Sequence, residues 1–98
     1  MRNISNSLTR QKTRSCNAIL PHPVKAGNQI RVKTNTDASA VTDSSGNTYT
    51  NLPESTDKRF RFEWRARNSP GGDNLIVSVL SEIDEVIEVK VEEWEEEQ

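Results

Sequence analysis

Ninety-eight residues make one domain, and a chain of this length buries roughly 60–65% of its unfolded surface around one modest core. Hydrophobic residues are 32% and charged residues 29%, a balance toward the disordered side of globular composition, so the apolar residues stabilise a fold only if they are concentrated in ordered runs. The single cysteine, Cys16, excludes an internal disulfide and any multi-cysteine metal centre.

The net charge of −2 conceals an asymmetry. Residues 1–36 carry seven basic groups (Arg2, Arg10, Lys12, Arg14, Lys25, Arg31, Lys33) and no acidic one, whereas Glu82 to Gln98 holds nine acidic groups against Lys90 alone. A basic arm and an acidic tail on one chain suit head-to-tail self-association. The bland reading is two solvated ends. Nucleic acid is not an expected partner, because no aromatic residue precedes Tyr49 to stack on bases. The N-terminal MRNISNSLTRQKTRSC lacks the apolar core of a secretory signal, and no run approaches membrane-spanning length. The expectation is a chain made in a host cytoplasm that stays there or leaves inside a larger assembly. Asn3-Ile4-Ser5 matches the glycosylation sequon, a chance match in that setting.

In chain order, residues 1–14 read as a basic, flexible arm with Ile4 and Leu8 isolated. Asn17-Ala18-Ile19-Leu20 turns apolar before Pro21-His22-Pro23, the pattern of an edge strand's end. Ala26-Gly27-Asn28 is a turn, and Gln29 to Thr34 alternates as a half-buried strand, with Ile30 and Val32 on one face and Arg31 and Lys33 on the other. Val41 and Thr48-Tyr49-Thr50 flank Asp43-Ser44-Ser45-Gly46-Asn47, which predicts a hairpin. That acidic loop lacks the later glutamate that a calcium-binding loop requires. Arg59 to Arg67 predicts the strongest strand: Phe60, Phe62, Trp64 and Ala66 inward, and Arg59, Arg61, Arg65 and Arg67 outward as a ladder for a partner. After a sharp turn at Asn68 to Asp73, Leu75 to Leu80 predicts a buried central strand. Ser81 to Glu85 turns the chain, and Val86 to Trp94 is the last strand, with Glu93 inward at its end and Trp94 outward. Strands at intervals of about 8–12 residues, with no capped helical pattern, predict an all-β antiparallel sandwich or barrel.

Several motifs then stand together: Ala26-Gly27-Asn28, the Val41–Tyr49 stretch, Trp64 to Asn68, Gly71-Gly72 and Glu93-Trp94. Over residues 15–94 the chain resembles an immunoglobulin-like β-sandwich family found in bacterial surface proteins and phage virion proteins. The resemblance implies an all-β, immunoglobulin-like or jelly-roll-like sandwich (15–94); the basic arm (1–14) before it and the acidic tail (95–98) after it are read from the charge layout and depart from the family's pattern. It implies no catalytic residue, metal or cofactor. Its motifs are turn and packing motifs, which speak to fold more than to activity.

Catalysis is not expected. His22 and Cys16 lack an orienting third group, so His22 reads as an exposed turn residue and Cys16 as a small buried hydrophobe. The leading expectation is a structural protein of a phage virion, such as a capsid decoration protein that docks on capsid or sister subunits. The residues expected to meet partners are Arg2, Arg10, Lys12, Arg14, Arg59, Arg61, Arg65, Arg67 and Trp94. The alternative is a carbohydrate- or protein-binding adhesin-type module at a cell surface, for which Tyr49 and Trp94 are the aromatic rings available to a sugar.

Overall fold

The computed structural model describes residues 1–68 and 74–95. They form one antiparallel sheet with no helix among them: β1 Arg2–Pro23, β2 Gln29–Thr34, β3 Ala40–Asp43, β4 Thr50–Asn51, β5 Phe62–Arg67 and β6 Asn74–Glu95. The order is β1-β6-β2-β5-β4, with β3 added to β6.

The framework is the pair of 22-residue strands β1 and β6, which runs from Arg2↔Glu95 to Pro23↔Asn74. A break divides this ribbon. Thr13 pairs with Glu85 but Ser15 pairs with Leu80, so Ser81, Glu82, Ile83 and Asp84 lie opposite Arg14 alone. Such an insertion bends a ribbon and re-aims its side chains. On one side of the break β6 also pairs with β2, Gln29↔Trp94 to Thr34↔Val89, and β5 and β4 follow. On the other side β6 pairs with β3, Ala40↔Leu80 to Asp43↔Val77.

Alternation decides what is buried. Cys16, Ala18 and Leu20 of β1, Ile30 and Val32 of β2, Val41 of β3 and Ala66 of β5 are buried, with Leu75, Val77, Val79, Ile87, Val89 and Val91 of β6. They belong to one cluster, against which Trp64 packs. Each buried Val, Leu or Ile contributes about 1.5–3 kcal/mol relative to exposure, so this cluster carries most of the fold's stability.

Several expectations are corrected. Residues 2–13 are strand, not a flexible arm. Their inward positions are Ser5, Ser7, Thr9 and Gln11, opposite Glu93, Val91, Val89 and Ile87. Polar residues on both faces hide the period of two, yet the backbone pairs all the same. The charge asymmetry is also partly met within the chain: Arg2 lies opposite Glu95 and Arg10 opposite Glu88. The expected turn at Ser81 to Glu85 is the break inside one continuous strand. Leu75 to Leu80 is central, flanked by β1 and β3, but buries one face only, since Ile76 and Leu80 are exposed.

The Val41–Tyr49 stretch is not a hairpin, because β3 pairs with β6 and β4 pairs with β5. Its turn carries the chain from one side of the break to the other, with Gly46 at a φ of 75°. The arginine ladder is shorter than expected: Arg59 and Arg61 precede β5, which holds only Arg65 and Arg67. Apart from Asn68, the expected Asn68–Asp73 turn with its Gly71-Gly72 pair lies outside the described residues, as do residues 96–98 of the expected tail.

Candidate functional site

Two arrangements hold the chain's chemistry-bearing side chains. The first gathers the turn motifs at one end of the molecule. Asp43 accepts the backbone N–H groups of Ser45 (2.9 Å) and Asn47 (3.1 Å) on Oδ1, and the Asn47 amide (2.9 Å) and Tyr49 hydroxyl (2.8 Å) on Oδ2. Asn47 Nδ2 also donates to Asn68 Oδ1 at 3.0 Å, and Asn68 Nδ2 donates to Val24 O at 3.1 Å. The Asn68 backbone N–H donates to Asn28 O at 2.8 Å, and Gly27 N–H donates to Asn68 O at 2.7 Å. Gly27 meets this demand at a φ of 88°, where a side chain would be strained.

Asn28 Nδ2 then donates to Glu93 Oε2 at 2.7 Å, and Lys25 N–H donates to the same oxygen at 3.2 Å. Glu93 is 1% exposed, and its Oε1 has no hydrogen-bond partner, with His22 Nδ1 at 3.7 Å. His22 is half-buried at the end of β1, where an exposed turn residue was expected; Glu93 is inward, as its parity indicates. This chain of bonds ties segments after β1 and β3 to the ends of β2, β5 and β6. Its groups mostly satisfy one another, which is the work of a structural strap.

Burial, the Asp43 bond and the Asp43 charge together push the Tyr49 phenol far above its ordinary pKa. Tyr49 is buried and so is not the free ring a sugar would need. Cys16 is buried, as expected, and burial pushes its thiol pKa up. Among the described residues no group of three or more His, Cys, Asp and Glu side chains is placed to hold a metal ion. No helix of theirs is long and apolar enough to cross a membrane.

The second arrangement is the outward face of β6, β2 and β5. Directly opposed residues in antiparallel strands share a face. Glu92 lies opposite Arg31, and Arg31 opposite Arg65; Lys90 lies opposite Lys33, and Lys33 opposite Glu63; Trp94 lies opposite Gln29, and Gln29 opposite Arg67. On β1, Leu8 and Arg10 extend the face opposite Lys90 and Glu88.

Glu92 is its hub. The residue is only 4% exposed although it points outward, because three donors close over it. Lys33 Nζ lies at 3.1 Å, Lys90 Nζ at 3.3 Å and the Trp94 indole N–H at 3.0 Å. Burial pushes its carboxyl pKa up, but the Trp94 bond and the two lysines outweigh that and hold it below the usual range. The Arg31 guanidinium lies over the Trp94 ring, 3.9 Å from its centroid, and its Nε donates to Gln29 Oε1 at 2.6 Å. Burial and the charge of Arg65 lower the Arg31 pKa, against the opposing pull of Glu63 and Glu92.

The residues expected to meet partners separate accordingly. Arg65, Arg67 and Trp94 stand together on this face, and Arg59 joins it by reaching Glu88 at 2.8 Å. Arg10 borders it. Arg61 pairs instead with Glu54 in the loop before β5. Arg2 is at the end of the ladder, 3.4 Å from Glu95; Lys12 lies opposite Val86, and Arg14 sits at the register break.

No family model matches this chain, and neither the curated proteins nor the solved structures hold a significant match. Function is therefore read from the site. Arg31, Lys33 and Lys90 are cations of the face not expected to meet partners. The alternation of QIRVKT and VIEVKVEEW puts them outward, but only the strand register brings them side by side.

Proposed function

We propose that this chain is a non-enzymatic structural protein that docks on other proteins through the outward face of β6, β2 and β5. We take it to be an immunoglobulin-like β-sandwich, the two sides of the register break being its layers. The single hydrophobic cluster shared by both sides supports that architecture. The most concrete form of the reading, drawn from the family resemblance, is an accessory virion component such as a capsid decoration protein.

The observation that carries the docking role is the ordered charge layout around Glu92. Lys33, Lys90 and Trp94 are held by Glu92, and Arg31 by Trp94, so a partner meets cations already fixed in place and little side-chain entropy is lost on contact. The edge position of β1 supports the same reading. It pairs with β6 on one side only, leaving main-chain donors and acceptors on the other. The carbohydrate-binding alternative fits less well, because Tyr49 is buried and Arg31 covers one face of Trp94.

Light scattering of the purified chain, alone and with isolated shells, at about 20 mM and 500 mM salt tests this. Salt-sensitive self-association or shell binding, weakened when Arg59, Arg65 and Arg67 are replaced by Gln, is expected, since contacts between exposed charges are screened. A salt-indifferent monomer that binds no shell would contradict it.

A further inference from the structure

One position on the outward face is only partly balanced from within. Arg31 and Arg65 are directly opposed on β2 and β5, which places their Cβ atoms about 5 Å apart on one face, an arrangement of like charges that weakens strand pairing. Arg65 has its own counter-ion in Glu63. Arg31 is met less closely: Glu92 lies directly opposite it on β6 and, with Glu63, attracts its charge, but among the described residues neither carboxylate forms a salt bridge with it. Its hydrogen bonds go to Gln29 Oε1 at 2.6 Å and Met1 Sδ at 3.0 Å, both uncharged. It is half-buried, and its plane is fixed over the Trp94 ring. A half-buried, oriented guanidinium beside a second one suits a carboxylate, because the planar fork donates to two oxygens side by side.

The neighbours narrow the class of ligand. Glu63 and Glu92 flank the two arginines, and Glu88 lies farther along β6. A ligand of dense negative charge, such as a nucleic-acid backbone with a phosphate at every residue, would meet these three carboxylates as well as the two arginines. A polypeptide with a side-chain carboxylate at alternate positions would not, since successive acids in an extended chain are about 7 Å apart.

We propose that Arg31 and Arg65 form a two-armed seat for a side-chain carboxylate of an extended acidic segment on a partner protein. Trp94 serves as the positioning residue that holds Arg31 in place. This deepens the docking role proposed above by naming the residues and the chemistry of the partner. It is testable without any particle.

The probe is a capped heptapeptide of alternating serine and glutamate, titrated into the full chain at about 20 mM salt and followed by amide and indole NMR shifts. Saturable shifts centred on residues 31, 65 and the Trp94 indole are expected. Arg31→Gln and Arg65→Gln are each expected to weaken binding by about tenfold, as loss of a charge-assisted hydrogen bond does. Arg31→Lys keeps the charge but not the fork and falls between; Lys25→Gln, an exposed cation in the turn before β2, leaves binding unchanged.

Trp94→Leu separates positioning from contact. It is expected to weaken the peptide while the Arg31→Gln change then adds little on top of it. Dispersed amide spectra establish that each variant is folded, and if Arg31→Gln is not, the Arg65 variant carries the test. Absence of peptide binding, or equal binding to both Gln variants and the parent, overturns the seat. Tighter binding of a thymidine dodecamer at the same residues overturns the choice of a peptide. A chain dimer that Arg31→Gln dissociates overturns a separate partner, the carboxylate then being this chain's own. Peptide binding with a salt-indifferent monomer that binds no shell leaves the seat standing and removes the assembly role; salt-sensitive shell binding that survives both Gln variants does the reverse.

Discussion

The two halves of β1 share one ladder and one partner strand, yet they are held differently. From Cys16 to Leu20 every second side chain is fully buried against Leu75, Val77 and Val79. From Arg2 to Thr13 no side chain is buried, and Ile4 and Leu8 are 41% and 55% exposed. The first half rests on main-chain hydrogen bonds and cross-strand pairs worth a few tenths of a kcal/mol to about 1 kcal/mol each. The second half rests on the core. A strand can thus be continuous in geometry and divided in energetics, and its weaker half is the part a partner can most readily engage.

The largest effect that sharpens this contrast comes from the buried leucine of β1. Leu20→Ala should lower the unfolding free energy by about 2–5 kcal/mol in a urea titration, as truncation in a packed core does. Next is the strap that joins the two sides of the break. Asn68→Ala leaves Val24 O and Asn47 Nδ2 each short of a partner, and about 1–3 kcal/mol should be lost in the same titration.

A pH series probes the half without a core. The Glu92 pKa is held below its unfolded value, so its contribution is present above about pH 4.3 and is lost as the pH falls through the folded value. The slope of stability against pH below about 4.3 should therefore be shallower in Glu92→Gln than in the parent. Tyr49 behaves oppositely. Its raised pKa should leave tyrosinate absorbance absent at about pH 11 while the chain is folded and present from about pH 10 once it is unfolded, a clean readout because it is the only tyrosine. The smallest effect closes the comparison: Leu8→Ala, on the same strand as Leu20, should change stability by no more than about 0.5 kcal/mol.

What the sequence displays follows the same division. The alternation of Gln29 to Thr34 and of Val86 to Trp94, the inward Glu93, the buried Cys16 and the all-β antiparallel class are legible because one face of each run is apolar. The N-terminal half of β1 is not, because Ser5, Ser7 and Thr9 stand where apolar residues would announce a strand. The turn chemistry of Asp43 to Asn47 is plain, but which strands it joins is not. Asp43, Asn47 and Tyr49 make local bonds, and partner choice is set by distant residues of β5 and β6. Of the outward face, the charges are visible and their company is not. Arg31 reads as an ordinary solvated residue until the register sets it between Glu92 and Arg65 and over the Trp94 ring, with no salt bridge of its own among the described residues.

Hydrogen exchange read amide by amide tests the central claim, that residues 2–13 are a ladder-held strand and not a free arm. Every second amide from Arg2 to Thr13, those that face β6, should exchange at least about tenfold more slowly than in an unstructured peptide, and still faster than the amides of Val77 and Val79. Exchange of all these amides at unstructured rates would contradict the account, returning the segment to a solvated arm and the outward face to a border without its first strand.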